Sequence, residues 1–159
     1  MKFEKILISD VVHDAVHKVS PFAKEKNISI ENTVEEKEVL GSRGSLNDLF
    51  SILLDNAIKY SPAGSTVKVF SKKSDSYIPV CVQDQGMGIE QKDLKHIFDR
   101  FYRADSTRSA ENVSGYGLGL SIAKGIVDMH NGTISVTSEL KKGTMFTVRL
   151  PKNQKKESK

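Results

Sequence analysis

Apolar residues recur every three or four positions over residues 46–58, the spacing of one face of an α-helix. The residues on that face are Leu46, Leu49, Phe50, Leu53, Leu54, Ala57 and Ile58. Residues 42–45 begin and end with a serine, which predicts an N-cap just before this helix. Asn56 falls at the rim of the apolar face with Lys59 and Tyr60 beside it. We expect these three side chains to line one edge of a cleft.

A second helical pattern runs through residues 12–23. Ser9 or Asp10 is the expected N-cap, because a short side-chain oxygen can accept the free N–H groups of the first turn. Pro21 interrupts the pattern, so we expect a kink or a new helix start just before it. Asn27 is expected to end the helix.

Three further segments complete the helices and the main loop. Residues 90–98 predict a short helix, and residues 118–129 a longer one that ends at an Asn-Gly pair. Between them, residues 99–114 lose all apolar periodicity, which predicts a mobile loop.

Alternation of apolar and polar residues predicts short strands at residues 3–8, 28–32, 39–40, 66–71, 77–83, 133–138 and 144–150. Short polar turns join the fourth strand to the fifth and the sixth to the seventh, which predicts two antiparallel hairpins. Hairpins without strict strand-helix alternation indicate an α+β fold. We predict a two-layer α/β sandwich with a mixed, mainly antiparallel sheet packed against three main helices.

Composition narrows the class of protein. The 159 residues carry a net charge of +4, but residues 152–159 hold four lysines and one glutamate and so account for most of it. We therefore expect one domain over residues 1–151 and a basic, flexible tail. The body has no basic stripe interleaved with aromatics and no apolar run of about 20 residues, so neither a nucleic-acid partner nor a membrane span is expected.

The cysteine and histidines offer little chemistry. Cys81 is the only cysteine and lies in a predicted apolar strand, which is typical of a buried thiol in a reducing compartment. The four histidines show no metal-binding spacing and are expected at the surface or rim: His13, His17, His96 and His130.

The first candidate site begins at Asp84, directly after a predicted strand and before Gly86 and Gly88. A carboxylate at a strand end can accept a hydrogen bond from the exocyclic amine of adenine. Glycines without a Cβ let a ligand lie against the backbone. An ordinary Asp-Gly turn explains the same residues, so both interpretations stay open at this point.

The second candidate site is the repeat Gly115, Gly117 and Gly119, which leads into a helix near Leu120. Free N–H groups and the dipole at a helix start favour phosphate. No Gly-Lys-Ser/Thr follows, so this is not a Walker loop, and the spacing does not fit a dinucleotide fingerprint. A flexible turn is the alternative.

Polar residues elsewhere suit a nucleotide with its metal ion. Asn56 offers an oxygen of the kind that Mg²⁺ prefers. Lys59 and Arg103 carry charges that can neutralise phosphate during transfer. Each of the three is equally explained as an ordinary rim or surface residue. Phe98 and its aromatic neighbours are expected to anchor the following loop to the core.

In combination, these segments resemble the catalytic and ATP-binding domain of sensor histidine kinases, in the wider family of gyrase, HSP90 and MutL ATPases. Residues 53–62 resemble the N box of that family and residues 84–88 its G1 box. Residues 97–105 resemble the F box, residues 115–120 the G2 box, and residues 143–144 a small C-terminal motif. The fold implied is the Bergerat ATP-binding fold.

The resemblance implies that Asn56 holds Mg²⁺ against the phosphates of ATP, which Lys59 and Arg103 contact. Residues 99–114 would form a lid over the nucleotide and meet the helical domain that bears the substrate histidine. The implied catalytic residues are Asn56, Lys59 and Arg103.

The resemblance also implies an adenine site, in which Tyr60 and Ile89 enclose the ring and Asp84 binds its amine. The remaining implied nucleotide-binding residues are Gly86, Gly88, Gly115, Tyr116, Gly117, Leu118, Gly119, Leu120 and Thr144. Every one of these roles is an expectation from the resemblance.

Two departures from the family pattern bear on activity. Hydrolysing relatives carry a water-activating glutamate four residues before the N-box asparagine, where this chain has Ile52, so little hydrolysis is expected. No phosphoacceptor-histidine motif appears, so we expect that motif on a preceding dimerisation domain of a longer protein. The expected context is cytoplasmic, in a membrane-anchored kinase that signals to a response regulator, and the isolated domain is expected to be monomeric.

Three other functions remain open from the sequence. A gyrase-type ATPase or clamp would release phosphate steadily when isolated. A serine kinase that switches a sigma-factor inhibitor would be expected to keep the glutamate that Ile52 replaces. A non-catalytic nucleotide sensor would bind ATP without phosphorylating an added histidine domain.

Overall fold

A computed structural model of the chain describes residues 2–102 and 119–152. The helices in these ranges are α1 (Ile8–Glu25), α2 (Arg43–Tyr60), α3 (Gln91–Leu94) and α4 (Gly119–Met129). The strands are β1 (Glu4–Leu7), β2 (Ser29–Thr33), β3 (Glu38–Gly41), β4 (Thr66–Ser71), β5 (Tyr77–Gln83), β6 (Thr133–Glu139) and β7 (Gly143–Pro151). Most of the predicted loop and of the predicted basic tail lies outside the described residues.

Five of the strands form one mixed sheet in the order β2-β4-β5-β7-β6. β2 and β4 run parallel, and the other neighbours are antiparallel. The two predicted hairpins are β4–β5 and β6–β7. β1 and β3 pair in a separate two-stranded sheet, which the sequence did not predict. The long helices α1, α2 and α4 pack together and against the sheet, so the predicted two-layer fold is confirmed.

The core lies between the helices and one face of the large sheet. Every residue of the apolar face predicted for α2 is buried: Leu46, Leu49, Phe50, Leu53, Leu54, Ala57 and Ile58. Neighbouring residues of a strand face opposite sides, so Val80 and Val82 join this core while Cys81 between them faces away. The Cys81 thiol is buried and lies 3.5 Å from the Thr147 hydroxyl. The prediction of a buried strand thiol is confirmed.

The N-terminus of α2 is capped as predicted. The Ser42 hydroxyl accepts a hydrogen bond from the Ser45 backbone N–H at 3.4 Å, which satisfies one of the free donors of the first turn.

The predicted cap of α1 was wrong. The N-cap residue is Leu7, with no side-chain hydrogen bond, and Ser9 and Asp10 lie inside the helix. The backbone N–H of Ile8 instead donates to the carbonyl of Lys37 at 2.8 Å. A backbone carbonyl just before β3 therefore accepts the hydrogen bond that we had expected a side chain at the helix start to accept.

The predicted new helix start at Pro21 is also absent, because α1 continues through the proline to Glu25. Val19 and Ala23, two residues to either side, are buried in the core. Their packing holds the turn together although the proline has no N–H to donate. Asn27 ends the helix as predicted, in the left-handed conformation with φ 60°.

The helix predicted over residues 90–98 is limited to Gln91–Leu94. The next backbone bonds span three residues: the N–H of His96 donates to Asp93, and that of Asp99 to His96, each at 2.9 Å. A contact of 3.1 Å between the His96 ring and the Asp99 carboxylate closes the same turn. These tighter turns replace the helix that the periodicity indicated.

His130, expected at the surface or rim, is buried. Its Nε2 accepts a hydrogen bond from the Ser42 backbone N–H at 3.0 Å, and its Nδ1 lies 2.8 Å from the Ile126 carbonyl. A neutral ring with the proton on Nδ1 satisfies both partners. The Phe3 ring stacks on the imidazole with centroids 4.8 Å apart. His130 therefore joins the C-terminus of α4 to the start of α2.

Candidate functional site

Asp84 lies just past the end of β5 and is held by β7 and by its own loop. Its backbone N–H donates to the Thr144 carbonyl at 2.9 Å. Its Oδ1 accepts from the N–H of Thr144 at 3.2 Å and from that of Gly86 at 2.8 Å. Within the described residues no hydrogen bond reaches Oδ2. The carboxylate is thus fixed by one oxygen and leaves the other for a donor.

Burial raises the pKa of the Asp84 carboxyl, and the hydrogen bonds from Gly86 and Thr144 oppose this rise. The residue as a whole is only 8% exposed. Removal from water disfavours the charged form of a carboxyl, and the two N–H groups compensate only in part. A ligand N–H donated to Oδ2 would relieve this imbalance.

Gly86 brings the Asp84 loop against the C-terminal end of α2. A Cβ at this position would collide with the backbone carbonyl of Tyr60 and lie 3.1 Å from Asp84 Oδ1. Packing of the two backbones therefore requires glycine here, whatever its role towards a ligand. The contact brings Asp84 close to Tyr60, and the resemblance implies that both of these residues bind adenine.

Ile89 is fixed to the same region by the β6–β7 hairpin. Its backbone N–H donates to the Ser138 hydroxyl at 2.7 Å, and that hydroxyl lies 2.8 Å from the Thr144 hydroxyl. Gly88, just before it, packs on the turn after β6, where a Cβ would lie 2.8 Å from the Leu140 Cα. Sequence reasoning missed Ser138. The hairpin register, which pairs Ser138 with Thr144, is the signal that points to it.

The polar edge predicted on α2 is present. Asn56 is half-buried, and among the described residues its side chain makes no hydrogen bond. Lys59, in the last turn of the helix, lies 3.2 Å from the Asp55 carboxylate. The asparagine amide is therefore available to a ligand, whereas the lysine is engaged in an ion pair.

The start of α4 meets the same helix. A Cβ on Gly119 would touch Ile52 Cγ2 at 3.5 Å, and Ile52 lies one turn before Asn56 on the same face of α2. Leu120 is half-buried and packs on the core. The C-terminal end of the glycine-rich stretch therefore lies beside the predicted polar edge.

Five of the predicted site residues lie outside the described residues: Arg103, Gly115, Tyr116, Gly117 and Leu118. Their proposed roles rest on the sequence alone. The remaining predicted residues form two groups. Asp84, Gly86, Gly88, Ile89, Thr144 and Tyr60 are joined by the contacts above, and Asn56, Lys59, Gly119 and Leu120 follow α2 and the start of α4.

Two aromatic side chains anchor the segment that leads to residue 103. Phe98 packs edge-on against Phe146 with centroids 6.1 Å apart. The Tyr102 hydroxyl donates to the buried carboxylate of Asp93. Phe101 is 61% exposed. The expectation that these aromatics tie the loop to the core is confirmed for Phe98 and Tyr102 but not for Phe101.

In the part of the chain that the structure describes, no three His, Cys, Asp or Glu side chains come together as metal ligands. None of the described helices has the length and apolar character needed to cross a bilayer.

An open depression of about 720 Å³ lies near the opposite end of α2, lined by residues that include Asp14 and Arg43. The 18 residues of α2 extend about 27 Å, so this depression is far from the Asp84 region. Its Arg43 and Asp14 side chains lie 3.9 Å apart and form an exposed ion pair.

Residues 41–154 match a protein family described as histidine kinase-, DNA gyrase B-, and HSP90-like ATPase. The signal transduction histidine-protein kinase ArlS of Staphylococcus aureus (strain USA300) is 33% identical over 145 residues. That alignment covers 91% of this chain and 32% of ArlS. The chain therefore spans about a third of the length of this relative.

Solved structures show the same fold. The mycobacterial sensor histidine kinase MprB superposes with a TM-score of 0.86 at 30% identity, over 96% of this chain and 100% of the other. The catalytic domain of histidine kinase ThkA gives 0.81 at 24% identity, over 97% and 100%. Full-length ShkA, solved in complex with AMPPNP, gives 0.83 at 24% identity, over 98% of this chain and 32% of ShkA.

Proposed function

Because this chain belongs to the histidine kinase-, DNA gyrase B- and HSP90-like ATPases, we propose that it is the catalytic domain of a sensor histidine kinase that uses ATP and Mg²⁺. Its fold is that of a histidine kinase catalytic domain. The γ-phosphoryl group goes to a histidine on a dimerisation domain and then to an aspartate of a response regulator. The observation that carries this proposal is the buried Asp84 carboxylate beside the end of α2, where one oxygen has no hydrogen-bond partner among the described residues.

In this proposal, Asp84 Oδ2 accepts a hydrogen bond from the exocyclic amine of adenine. The bonds from Gly86 and Thr144 hold Oδ1 and so orient the carboxylate before the ligand arrives. Tyr60 and Ile89 enclose the ring, and the hydrogen bond to Ser138 keeps Ile89 in place. Recognition by a preformed acceptor costs little reorganisation on binding.

The triphosphate then follows the polar edge of α2 towards α4. Lys59 exchanges its ion pair with Asp55 for a phosphate oxygen. Arg103 and the N–H groups of residues 115–119 supply further positive potential, since the start of a helix favours anions. The eleven residues of α4, Gly119–Met129, are long enough for such an end effect.

Asn56 suits the proposed Mg²⁺. Its amide oxygen is a hard donor, and the half-buried side chain has no hydrogen-bond partner among the described residues. When bound, the ion would neutralise charge on the phosphates. Because the described residues contain no cluster of acidic or histidine ligands, Asn56 would share the ion with phosphate oxygens and water.

The transfer itself needs a nucleophile from another domain. An imidazole nitrogen attacks the γ-phosphorus, the bond from that phosphorus to the β–γ bridging oxygen breaks, and ADP leaves with the electron pair. The imidazole proton passes to a base on the partner domain or to water. This chain contributes position and charge, which dominate catalysis of phosphoryl transfer. The apolar Ile52 offers no carboxylate to activate water in competition.

The decisive experiment mixes this domain with a separately produced histidine-bearing dimerisation domain, Mg²⁺ and γ-labelled ATP. We expect the label on the added domain as acid-labile, base-stable phosphate, with little phosphate release from this domain alone. Steady phosphate release without transfer would indicate a gyrase-type ATPase. Binding of ATP without either result would indicate a nucleotide sensor.

The wider context belongs to the same proposal. We place residues 1–151 in one monomeric domain with residues 152–159 as a basic tail, on the cytoplasmic side of a membrane-anchored kinase. The match to only 32% of ArlS supports a larger parent protein.

Replacing Asn56 with alanine should weaken binding of a fluorescent ATP analogue about tenfold in Mg²⁺, because a metal-bound oxygen is lost. In EDTA the variant and the wild type should bind equally. Asn47→Ala, on the same helix near its opposite end, is the matched control and should bind as the wild type does. Retention of the full Mg²⁺ effect in Asn56→Ala would refute the assignment.

A further inference from the structure

Lys26 is the C-cap residue of α1, and its side chain reaches across to the end of α2. Its Nζ donates to the carbonyl of Ile58 at 2.9 Å and to that of Lys59 at 2.7 Å. The partners are 32 and 33 positions away in sequence, so the contact ties together two separate helices.

The two carbonyls belong to the last turn of α2, where C=O groups lack the usual partner four residues on. The Ile58 carbonyl also accepts a 3.4 Å bond from the N–H of Ser61, the C-cap residue, whereas the carbonyl of Lys59 is bonded by Lys26. The negative end of the helix dipole lies at the same place and favours a cation. A lysine ammonium with two of its three donors on these carbonyls therefore caps α2 from outside.

Burial lowers the pKa of the Lys26 ammonium. The described residues place no carboxylate within ion-pair distance of it. The positive charge is thus partly removed from water, and its partners among the described residues are the two carbonyl dipoles.

Neighbouring backbone bonds secure the same junction. The Gly64 N–H donates to the Asn27 carbonyl at 2.8 Å, and the Ser29 N–H to the Ser65 carbonyl at 3.1 Å. The residues that follow α1 and those that follow α2 are therefore joined directly after Lys26 in the chain.

The capped turn is the one that carries the proposed nucleotide contacts. Lys59 supplies its side chain to the proposed phosphate site, and Tyr60 packs its carbonyl against Gly86 in the Asp84 loop. Fraying of this turn would move both side chains and release the wall of the proposed adenine site.

We infer that Lys26 is a positioning residue for nucleotide binding: it holds the last turn of α2 so that Lys59 and Tyr60 are in place before ATP arrives. The inference rests on the proposed function and adds to it a residue outside all of the recognised motifs. Lys26 itself need not touch the nucleotide.

The test compares Lys26→Met, which keeps the apolar stem but loses the donors, with Lys26→Arg, which keeps donors. Lys24→Met is the matched control, because Lys24 lies in the same last turn of α1 and is exposed. A fluorescent ATP analogue measures affinity, and amide hydrogen exchange measures local opening. We expect Lys26→Met to bind about tenfold more weakly and Lys26→Arg to restore most of that loss.

Hydrogen exchange separates positioning from general damage. In Lys26→Met the amides of residues 57–61 should exchange faster, while those of β5 and β7 stay as protected as in the wild type. Faster exchange across the whole domain, with proportionate loss of binding, would show a merely structural role and overturn the inference. If Lys26→Met fails to fold, Lys26→Gln, with a single amide donor group, should give the same pattern at smaller size.

Two other outcomes are distinguishable. Unchanged affinity in Lys26→Met, with a wild type that binds the analogue, would overturn the inference and leave the proposed function standing. A wild type that does not bind the analogue would overturn the proposed function, and the inference with it.

Discussion

Replacing Asp84 with asparagine is expected to weaken binding of an ATP analogue by about a hundredfold or more while the domain remains folded. The amide oxygen can still accept the hydrogen bonds from Gly86 and Thr144. The amide NH₂ then takes the place of Oδ2 and presents a donor to the donor amine of adenine. A mismatch between buried donors costs far more than the loss of a contact exposed to water. Fluorescence titration measures the loss directly.

The same substitution should not destabilise the domain without ligand at neutral pH. Burial raises the pKa of Asp84 from its ordinary value of 3.8, so the folded state holds the proton more tightly than the unfolded chain does. The stability that Asp84 contributes is therefore fully present below the unfolded pKa and is lost as pH rises through the folded pKa. Asparagine avoids that loss. We expect its unfolding midpoint at pH 7 to equal or exceed that of the wild type.

The control for Asp84 is Asp75→Asn, which removes a carboxylate from the exposed turn between β4 and β5. It should change neither affinity nor the dependence of stability on pH. Wild-type affinity in Asp84→Asn would contradict the adenine assignment. A clear drop in its stability at pH 7 would show that the two backbone bonds outweigh burial.

What the sequence predicted well was local. The buried face of α2 follows from a repeat within 13 residues, and Ser42 caps the helix through a residue three positions away. The hairpins β4–β5 and β6–β7 follow from alternation around short turns. In each case the deciding interaction joins residues close in the chain, so the pattern contains the information.

What it missed depends on distant partners. The N–H of Ile8 is satisfied by Lys37, and the ring of His130 by Ser42, which lies 88 positions away. No local pattern identifies either partner. The pairing of β1 with β3 and the parallel contact of β2 with β4 are likewise set by how the helices pack between them.

The candidate site shows the same division. The sequence motifs identified Asp84 and Gly86 as candidate site residues. They did not show that Oδ1 of Asp84 accepts two backbone hydrogen bonds, or that Gly86 packs on the Tyr60 carbonyl. Those facts convert a possible turn into a preformed acceptor. Ser138 and Lys26 carry no motif at all, since each acts on a segment far away in the chain.

Gly143→Ala should lower the free energy of unfolding by about 3 kcal/mol, the largest effect expected from any single added methyl group here. Gly143 has φ +134°, a conformation that other residues rarely adopt. A Cβ there would collide with the Asp84 carbonyl and lie 3.1 Å from the Gln85 Cα. Both obstacles are backbone and cannot move aside as a side chain would. Urea unfolding of the domain without nucleotide gives the measurement.

The matched control is Gly125→Ala, on the exposed face of α4, where a Cβ would meet nothing within 4 Å. Alanine should raise stability there by roughly 0.5–1 kcal/mol, because glycine is the poorer helix former. The same glycine-to-alanine change should therefore lower the free energy of unfolding at position 143 and raise it at position 125. That difference would separate the effect of backbone collision from the effect of helix propensity. The fraction of Gly143→Ala that still folds should also bind the ATP analogue poorly, since the displaced carbonyl belongs to Asp84. Normal binding by that fraction would show that the β7 turn does not position the carboxylate.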